Sequence, residues 1–246
     1  MRATIRQILF IILLTTQVLN CQEESKSSVV ACNRAQTAIV IDGNLDEKEW
    51  KNAVALELVR IISLEQPVSK TIAYCLYDGQ YLYFAFKCYD MDIWATYEKR
   101  DAPLYEEDVV EVFFKADCSK NSYYEFEVSP KNVILDALIG ERTLTGNMFF
   151  RFAKWNCSGL KSAVKIKGTL NRWDDIDQYW TVEIAIPFKS LPTVKKSPVP
   201  GDEWLFNVCR YDYSIYLEKG VETLTYSPIT KFDFHRYEEW RILKFQ

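Results

Sequence analysis

The sequence contains a single histidine, His235, in 246 residues. A Ser-His-Asp relay would have to use it, and no G-x-S-x-G turn supplies the serine. No C-x-x-C occurs, which removes the usual thiolate zinc site, and no C-x-x-C-H, which removes covalent haem. No EF-hand-like spacing of oxygen donors is present. Lysine and arginine are nowhere clustered, so nucleic acid is not an expected partner. There is no internal repeat, and beyond the N-terminus no second long apolar run. These absences turn attention from catalysis and metal chemistry to the rings.

Aromatic residues make up 15% of the chain, with 15 Tyr, 14 Phe and 7 Trp. Such residues fit a pleated, half-buried surface, and exposed ones suit flat apolar ligands such as sugar rings. Short apolar runs separated by turns recur along the chain. Residues 38–41 read as a strand, and 46–53 as one or two helical turns with Trp50 facing inwards. Residues 54–62 resume extended structure. Residues 70–77 and 81–89 flank Asp78-Gly79-Gln80, a hairpin signal. Further strands are expected at 109–114, 123–129, 133–139, 162–170, 179–186, 204–213, 223–226 and 241–245. Many short strands with little helix predict an all-β fold, an antiparallel β-sandwich of jelly-roll or immunoglobulin-like type with one or two short helices.

The N-terminus reads as an export signal. Arg2 and Arg6 precede the apolar run 8–14, which is too short to span a bilayer. Val18-Leu19-Asn20-Cys21 resembles a bacterial lipobox, which implies cleavage after residue 20 and a lipid on Cys21. The expected organisation is therefore a signal peptide over 1–20, a lipidated Cys and polar tether over 21–36, and one domain over 37–246. The polar stretch 22–28 resembles the acidic tags of surface lipoproteins in Bacteroidetes-like bacteria. That places the protein in the envelope of a Gram-negative bacterium, as an outer-membrane lipoprotein or in periplasmic or secreted form. It would be a monomer, touching membrane only through its lipid. Without residues 1–20 the chain has 28 basic and 34 acidic residues, a net charge of −6. Setting Cys21 aside, Cys32, Cys75, Cys88, Cys118, Cys157 and Cys209 remain. An even number permits disulfides in an oxidising compartment without giving their pairing. Cys75, Cys88 and Cys209 fall inside strands and read as buried thiols.

Strand alternation places acids on one face. Val110, Val112 and Phe114 point one way and Glu111 the other; Tyr124, Phe126 and Val128 oppose Glu125 and Glu127. If the apolar faces meet the core, three carboxylates gather on the far side of one hairpin. From pattern alone the expectation is a solvated acidic face, which salt screens. The alternative is a site where an Arg, a metal or a hydrogen-bonding ligand offsets the repulsion. The preceding segment, residues 100–108, joins Tyr105 to several acids, a combination suited to a sugar's C–H face and its hydroxyls.

Ordered motifs carry a family resemblance. Ile41-Asp42-Gly43-Asn44-Leu45-Asp46-Glu47-Lys48-Glu49-Trp50, with Ala53, resembles the opening block of family 9 carbohydrate-binding modules. Tyr81-Leu82-Tyr83-Phe84-Ala85-Phe86 is similar to a later strand of that family, and Tyr105-Glu106-Glu107-Asp108-Val109-Val110-Glu111-Val112-Phe113 to its W-E-x-D-x-V-E-V-F block. Residues 123–130 and 180–187 match further blocks. The resemblance implies a β-sandwich that binds a poly- or oligosaccharide without cleaving it. Two aromatic walls would hold the sugar. They map to Tyr105 and to Phe234, or to Phe232 if the alignment slips by two. Glu111 and Glu106 would bind hydroxyls, with Trp94 extending the platform. Glu127 stands where the family has an arginine, so Arg100 or Arg210 is expected to supply a guanidinium. The family's structural calcium points to Asp42, Asp46 and Glu47 as donors, but no metal or other cofactor is expected. Two other readings differ in class: a haem-binding sandwich using Met91, Met148 or His235, and an interaction domain with a degenerate sugar site. His235 itself reads as a polar loop residue near the ligand.

Overall fold

The structure, a computed structural model, describes residues 29–142 and 154–246. Residues 1–28, including the expected signal peptide and Cys21, lie outside the described residues, as does Met148. No described helix is long and apolar enough to cross a membrane.

Thirteen strands form among the described residues, in chain order. They are β1 (Val29–Arg34), β2 (Leu56–Glu57), β3 (Val59–Arg60), β4 (Thr71–Tyr77), β5 (Tyr81–Tyr89), β6 (Val109–Lys115), β7 (Tyr123–Val128), β8 (Ile134–Ile139), β9 (Lys161–Lys167), β10 (Tyr179–Pro187), β11 (Glu203–Tyr213), β12 (Val221–Thr225) and β13 (Arg241–Phe245). Among the described residues the helical content is confined to short 3-10 turns, one of them Lys48–Asn52 around Trp50. One layer runs β8-β7-β6-β11-β13-β1 and the other β4-β5-β10-β9, with β1 hydrogen-bonded to both β13 and β4. Both of those pairings are parallel, while the long ladders β5–β10, β6–β11 and β6–β7 are antiparallel as expected.

The two layers close on one core. Val110, Val112, Phe114, Tyr124, Phe126 and Val128 from one meet Phe84, Phe86, Trp180, Val182 and Ile184 from the other. These are the inward positions of strands with a two-residue period, so the sequence pattern and the burial agree. Phe114 stacks on Trp204 with ring centroids 5.4 Å apart.

Two expectations change. The domain begins earlier than residue 37, because Val29–Arg34, read as part of the tether, is the strand that joins the layers. Residues 38–41 form no strand; the Val40 N–H donates to Glu47 Oε1 at 3.2 Å instead of to a sheet neighbour. The described cysteines are free thiols, all buried except Cys118.

Each layer also has a covered outer face. Over β4, β5 and β10 lie Ala35, Ile39 and Trp50, packed on Leu76, Tyr83, Ala85 and Ala185. Glu183 holds that cover in place: it accepts from the backbone of Asp42 (3.0 Å) and Gly43 (2.9 Å) and from Trp50 Nε1 (2.8 Å). Gly43 has φ +86°, and a Cβ there would lie 2.8 Å from the carbonyl carbon of Val164. The Ile41–Trp50 motif is therefore a structural clasp. Over β6, β7, β8 and β11 the cover is the segment 226–240, whose Ile229, Phe234 and Trp240 pack on Val109, Phe113, Tyr123 and Leu135.

Candidate functional site

The segment 226–240 does not seal the sheet it crosses. Between them lies a cavity of about 480 Å³ lined by Tyr105, Glu111, Phe113, Tyr123, Glu125, Glu127, Tyr211, Phe232, Phe234 and His235, with Arg142 and Asp233 at its edge. That is within the roughly 300–1,000 Å³ of small-ligand pockets. Trp240 fixes one end of the cover: its ring meets Tyr123 edge-on at 5.4 Å and its Nε1 donates to the Phe234 carbonyl at 2.8 Å. Glu239 fixes the other by accepting from the Thr230 backbone (2.7 Å) and from Arg236 (2.7 Å). Burial works against the Glu239 carboxylate, but Arg236 and Thr230 outweigh it and hold its pKa at about 2.

The acids expected on one face of the hairpin are there, but they are not a solvated surface. Glu111 and Glu127 are direct cross-strand neighbours, and both are buried. One carboxylate oxygen from each of Glu111, Glu125 and Glu127 lies within 4.8 Å of the others. Burial pushes all three carboxyls up. Glu125 adds to the rise at Glu111, Glu111 and Glu125 add at Glu127, and His235 partly offsets it at Glu125. Each of the three therefore holds its proton to a higher pH than an isolated glutamate would. Among the described residues none of the three is ion-paired, and Glu111 Oε2 and Glu127 Oε2 are buried without a hydrogen-bond partner.

The rings differ in what they offer. Tyr105 is 38% exposed and Phe232 62%, whereas Phe234 is 5% exposed, with its ring against Tyr211 at 5.4 Å and Phe113 at 6.3 Å. Phe232 therefore has the open face, while Phe234 is packed away from solvent. Tyr105 is carried by a loop whose acids tie it to neighbouring backbone: Glu107 accepts from the N–H groups of Thr96 (2.5 Å) and Tyr97 (3.2 Å), and Asp108 from those of Trp94 (2.7 Å) and Tyr213 at the end of β11 (2.7 Å). Tyr213 Oη donates to the Tyr105 carbonyl at 2.9 Å.

Tyr105, Glu111 and Phe234 thus line one cavity, while the other expected ligands lie elsewhere. Glu106 accepts from Tyr97 Oη at 2.5 Å and is not part of the lining. Trp94 is half-buried away from the cavity, held through its backbone by Asp108. Arg100 pairs with Asp136 and donates to Asn156 at 2.5 Å. Asp136 points to the face of β8 opposite Leu135 and Ala137, which line the cavity. Arg210 is fully buried between the layers. It donates to Asp90 (2.7 Å), Asp212 (2.9 Å), Thr71 (2.9 Å) and the Tyr89 carbonyl (2.8 Å), so it has no reach to a ligand. The guanidinium at the cavity belongs to Arg142, which bonds Glu238 at 2.6 Å. Arg142, Tyr123, Tyr211 and Asp233 were not foreseen, and His235 lies where a ligand-side loop residue was expected. The suggested calcium donors do not gather: Asp42 Oδ1 accepts from Asn44 N (2.8 Å) and Glu47 Oε1 from Val40 N (3.2 Å).

A β-sandwich that holds a ligand-sized, ring-lined cavity on the outer face of one layer belongs to the class of sandwich binding domains. The chain itself belongs to the carbohydrate family 9 binding domain-like family, whose model matches residues 41–215. Its fold is similar to that of a proposed carbohydrate-binding protein from Bacteroides uniformis ATCC 8492, at 14% identity and TM-score 0.68, covering 89% of this chain and 99% of that one. It is also similar to a family 9 carbohydrate-binding module from Caldicellulosiruptor kristjanssonii, solved with cellotriose and with glucose. Both comparisons give 15% identity, TM-score 0.61 and 89% of this chain, with 94% and 96% of the other. No curated protein matches the chain in sequence.

Proposed function

We propose that this is an exported, non-catalytic carbohydrate-binding protein whose sugar ligand sits in the cavity beneath the segment 226–240. Tyr105 and Phe232 offer ring faces to the sugar's C–H surfaces, Phe234 is the apolar floor, and Glu111 accepts from hydroxyls. The convergence of these rings and this acid in one cavity is the observation that carries the reading. Glucans are the first ligands to try, since the Caldicellulosiruptor module was solved with glucose and cellotriose.

Binding is favoured over cleavage by the layout of the acids. Glu111, Glu125 and Glu127 stand side by side on one hairpin, whereas glycoside hydrolysis uses two carboxyls on either side of the scissile bond. The haem alternative has little support from Met91, which is exposed and outside the cavity lining.

A glycan array probed with wild type and Tyr105→Ala tests the assignment. Loss of a stacking ring should weaken binding about tenfold or more; unchanged binding would remove Tyr105 from the site. Export with a lipid on Cys21 is part of the same proposal. Mass spectrometry of the membrane fraction should find a diacylglyceryl-modified Cys21 as the first residue, and Cys21→Ser should release the protein; an unmodified wild-type N-terminus would refute it.

A further inference from the structure

Three carboxylates at one wall of a saccharide-sized cavity leave room for a positive partner. Glu111, Glu125 and Glu127 each contribute one oxygen to a group spanning at most 4.8 Å. Glu111 Oε2 and Glu127 Oε2 are buried with no hydrogen-bond partner among the described residues. Among the described lining residues the one guanidinium is engaged elsewhere: Arg142 bonds Glu238 at 2.6 Å and lies over the Tyr237 ring. His235 Nδ1 is 3.0 Å from Tyr123 Oη.

We propose that the cavity selects a sugar bearing a free, protonated amine, with its ammonium seated among Glu111, Glu125 and Glu127. This rests on the saccharide reading of the site and narrows it to amino sugars. An ammonium has three N–H donors, one for each carboxylate. Oxygens no more than 4.8 Å apart can all be reached by one nitrogen making charge-assisted N–H···O bonds of about 2.8 Å. Tyr105, Tyr123 and Tyr211 add ring faces and edges around that position, and ring faces attract a cation. A neutral hydroxyl in the same place leaves the repulsion among the acids uncompensated. A calcium ion needs about six to eight oxygens; beyond the three glutamates the lining holds one further carboxylate, Asp233, beside Arg142, His235, the aromatic rings and Leu135, Ala137 and Ile139.

Calorimetric titration of the full mature chain separates these cases. The ligands are the β-1,4-linked glucosamine disaccharide, its N-acetylated form and cellobiose, with calcium chloride titrated alone. The diamine is expected to bind at least about tenfold more tightly than either neutral disaccharide. In Glu127→Gln the ratio of diamine to cellobiose affinity should fall towards one, whatever the absolute values. Equal or tighter binding of the neutral disaccharides by wild type overturns the amine assignment and leaves the saccharide reading standing. A ratio kept in Glu127→Gln removes the triad from recognition. Calcium binding that disappears in Glu127→Gln overturns the proposal in favour of a metal. No binding of any disaccharide overturns it too, and a blank glycan array would then take the saccharide reading with it. The wild-type comparison needs no variant, so misfolding of Glu127→Gln would not shield the proposal.

Discussion

Replacing Glu127 by Gln should stabilise the protein at neutral pH and flatten its dependence on pH. Glu111, Glu125 and Glu127 have their pKa values raised by burial and, among themselves, by repulsion. In the unfolded chain each would titrate near 4.3. Between that value and their folded pKa values the native state binds more protons than the unfolded one, so stability falls as pH rises. Each extra bound proton gives a slope of about 1.4 kcal/mol per pH unit. For a domain of this size that is roughly 3–5 °C in Tm per unit. Asp90 and Glu183, each pushed up to about 7 by burial, contribute to the same slope in wild type. The comparison with Glu127→Gln isolates the cluster. The variant removes one acid and gives its neighbours an amide donor, so its slope above pH 5 should be shallower than that of wild type, by at most one proton. Its Tm should be the higher of the two at pH 8. Scanning calorimetry at half-unit steps measures both. Parallel curves, or a wild type that gains stability steadily from pH 5 to 8, would refute the reasoning.

Two other substitutions test the frame around the site. Arg210→Ala leaves Asp90 and Asp212 buried without their partner, and should cost about 3–5 kcal/mol in urea unfolding; a loss below about 1 kcal/mol would contradict the buried network. Glu183→Ala orphans the donors of Asp42, Gly43 and Trp50 and should cost about 2–4 kcal/mol. The Trp50 fluorescence of that variant should show greater solvent access, and an unchanged spectrum and midpoint would show that the clasp is not held by Glu183.

Much of the fold was legible because strand alternation is a local property. Alternation puts Glu111, between Val110 and Val112, and Glu125 and Glu127, around Phe126, on the face where they lie, and Tyr105 and Glu111, expected in one site, line one cavity. The same period, carried along β11, would have put Arg210 with Phe206 and Val208 in the core and Tyr211 in the cavity. The family pattern called for an arginine near the ligand, and that expectation overrode the alternation. Val29–Arg34 was not legible, since its partners β13 and β4 lie far along the chain and a parallel pairing leaves no turn signal between strands. The burial of the acids was missed for a related reason. Nothing in the hairpin's own sequence says that residues 226–240 fold back over it, and that cover turns an acidic surface into a cavity. Arg142 and Asp233 come to its edge by the same long-range contact.

A crystal structure of the protein soaked with the tightest saccharide from the array addresses the account most directly. Electron density for a sugar ring is predicted against Tyr105 and Phe232, with a polar group of the ligand within hydrogen-bond distance of Glu111. A saccharide bound on another face, or the cavity filled only by solvent at saturating ligand, would contradict it.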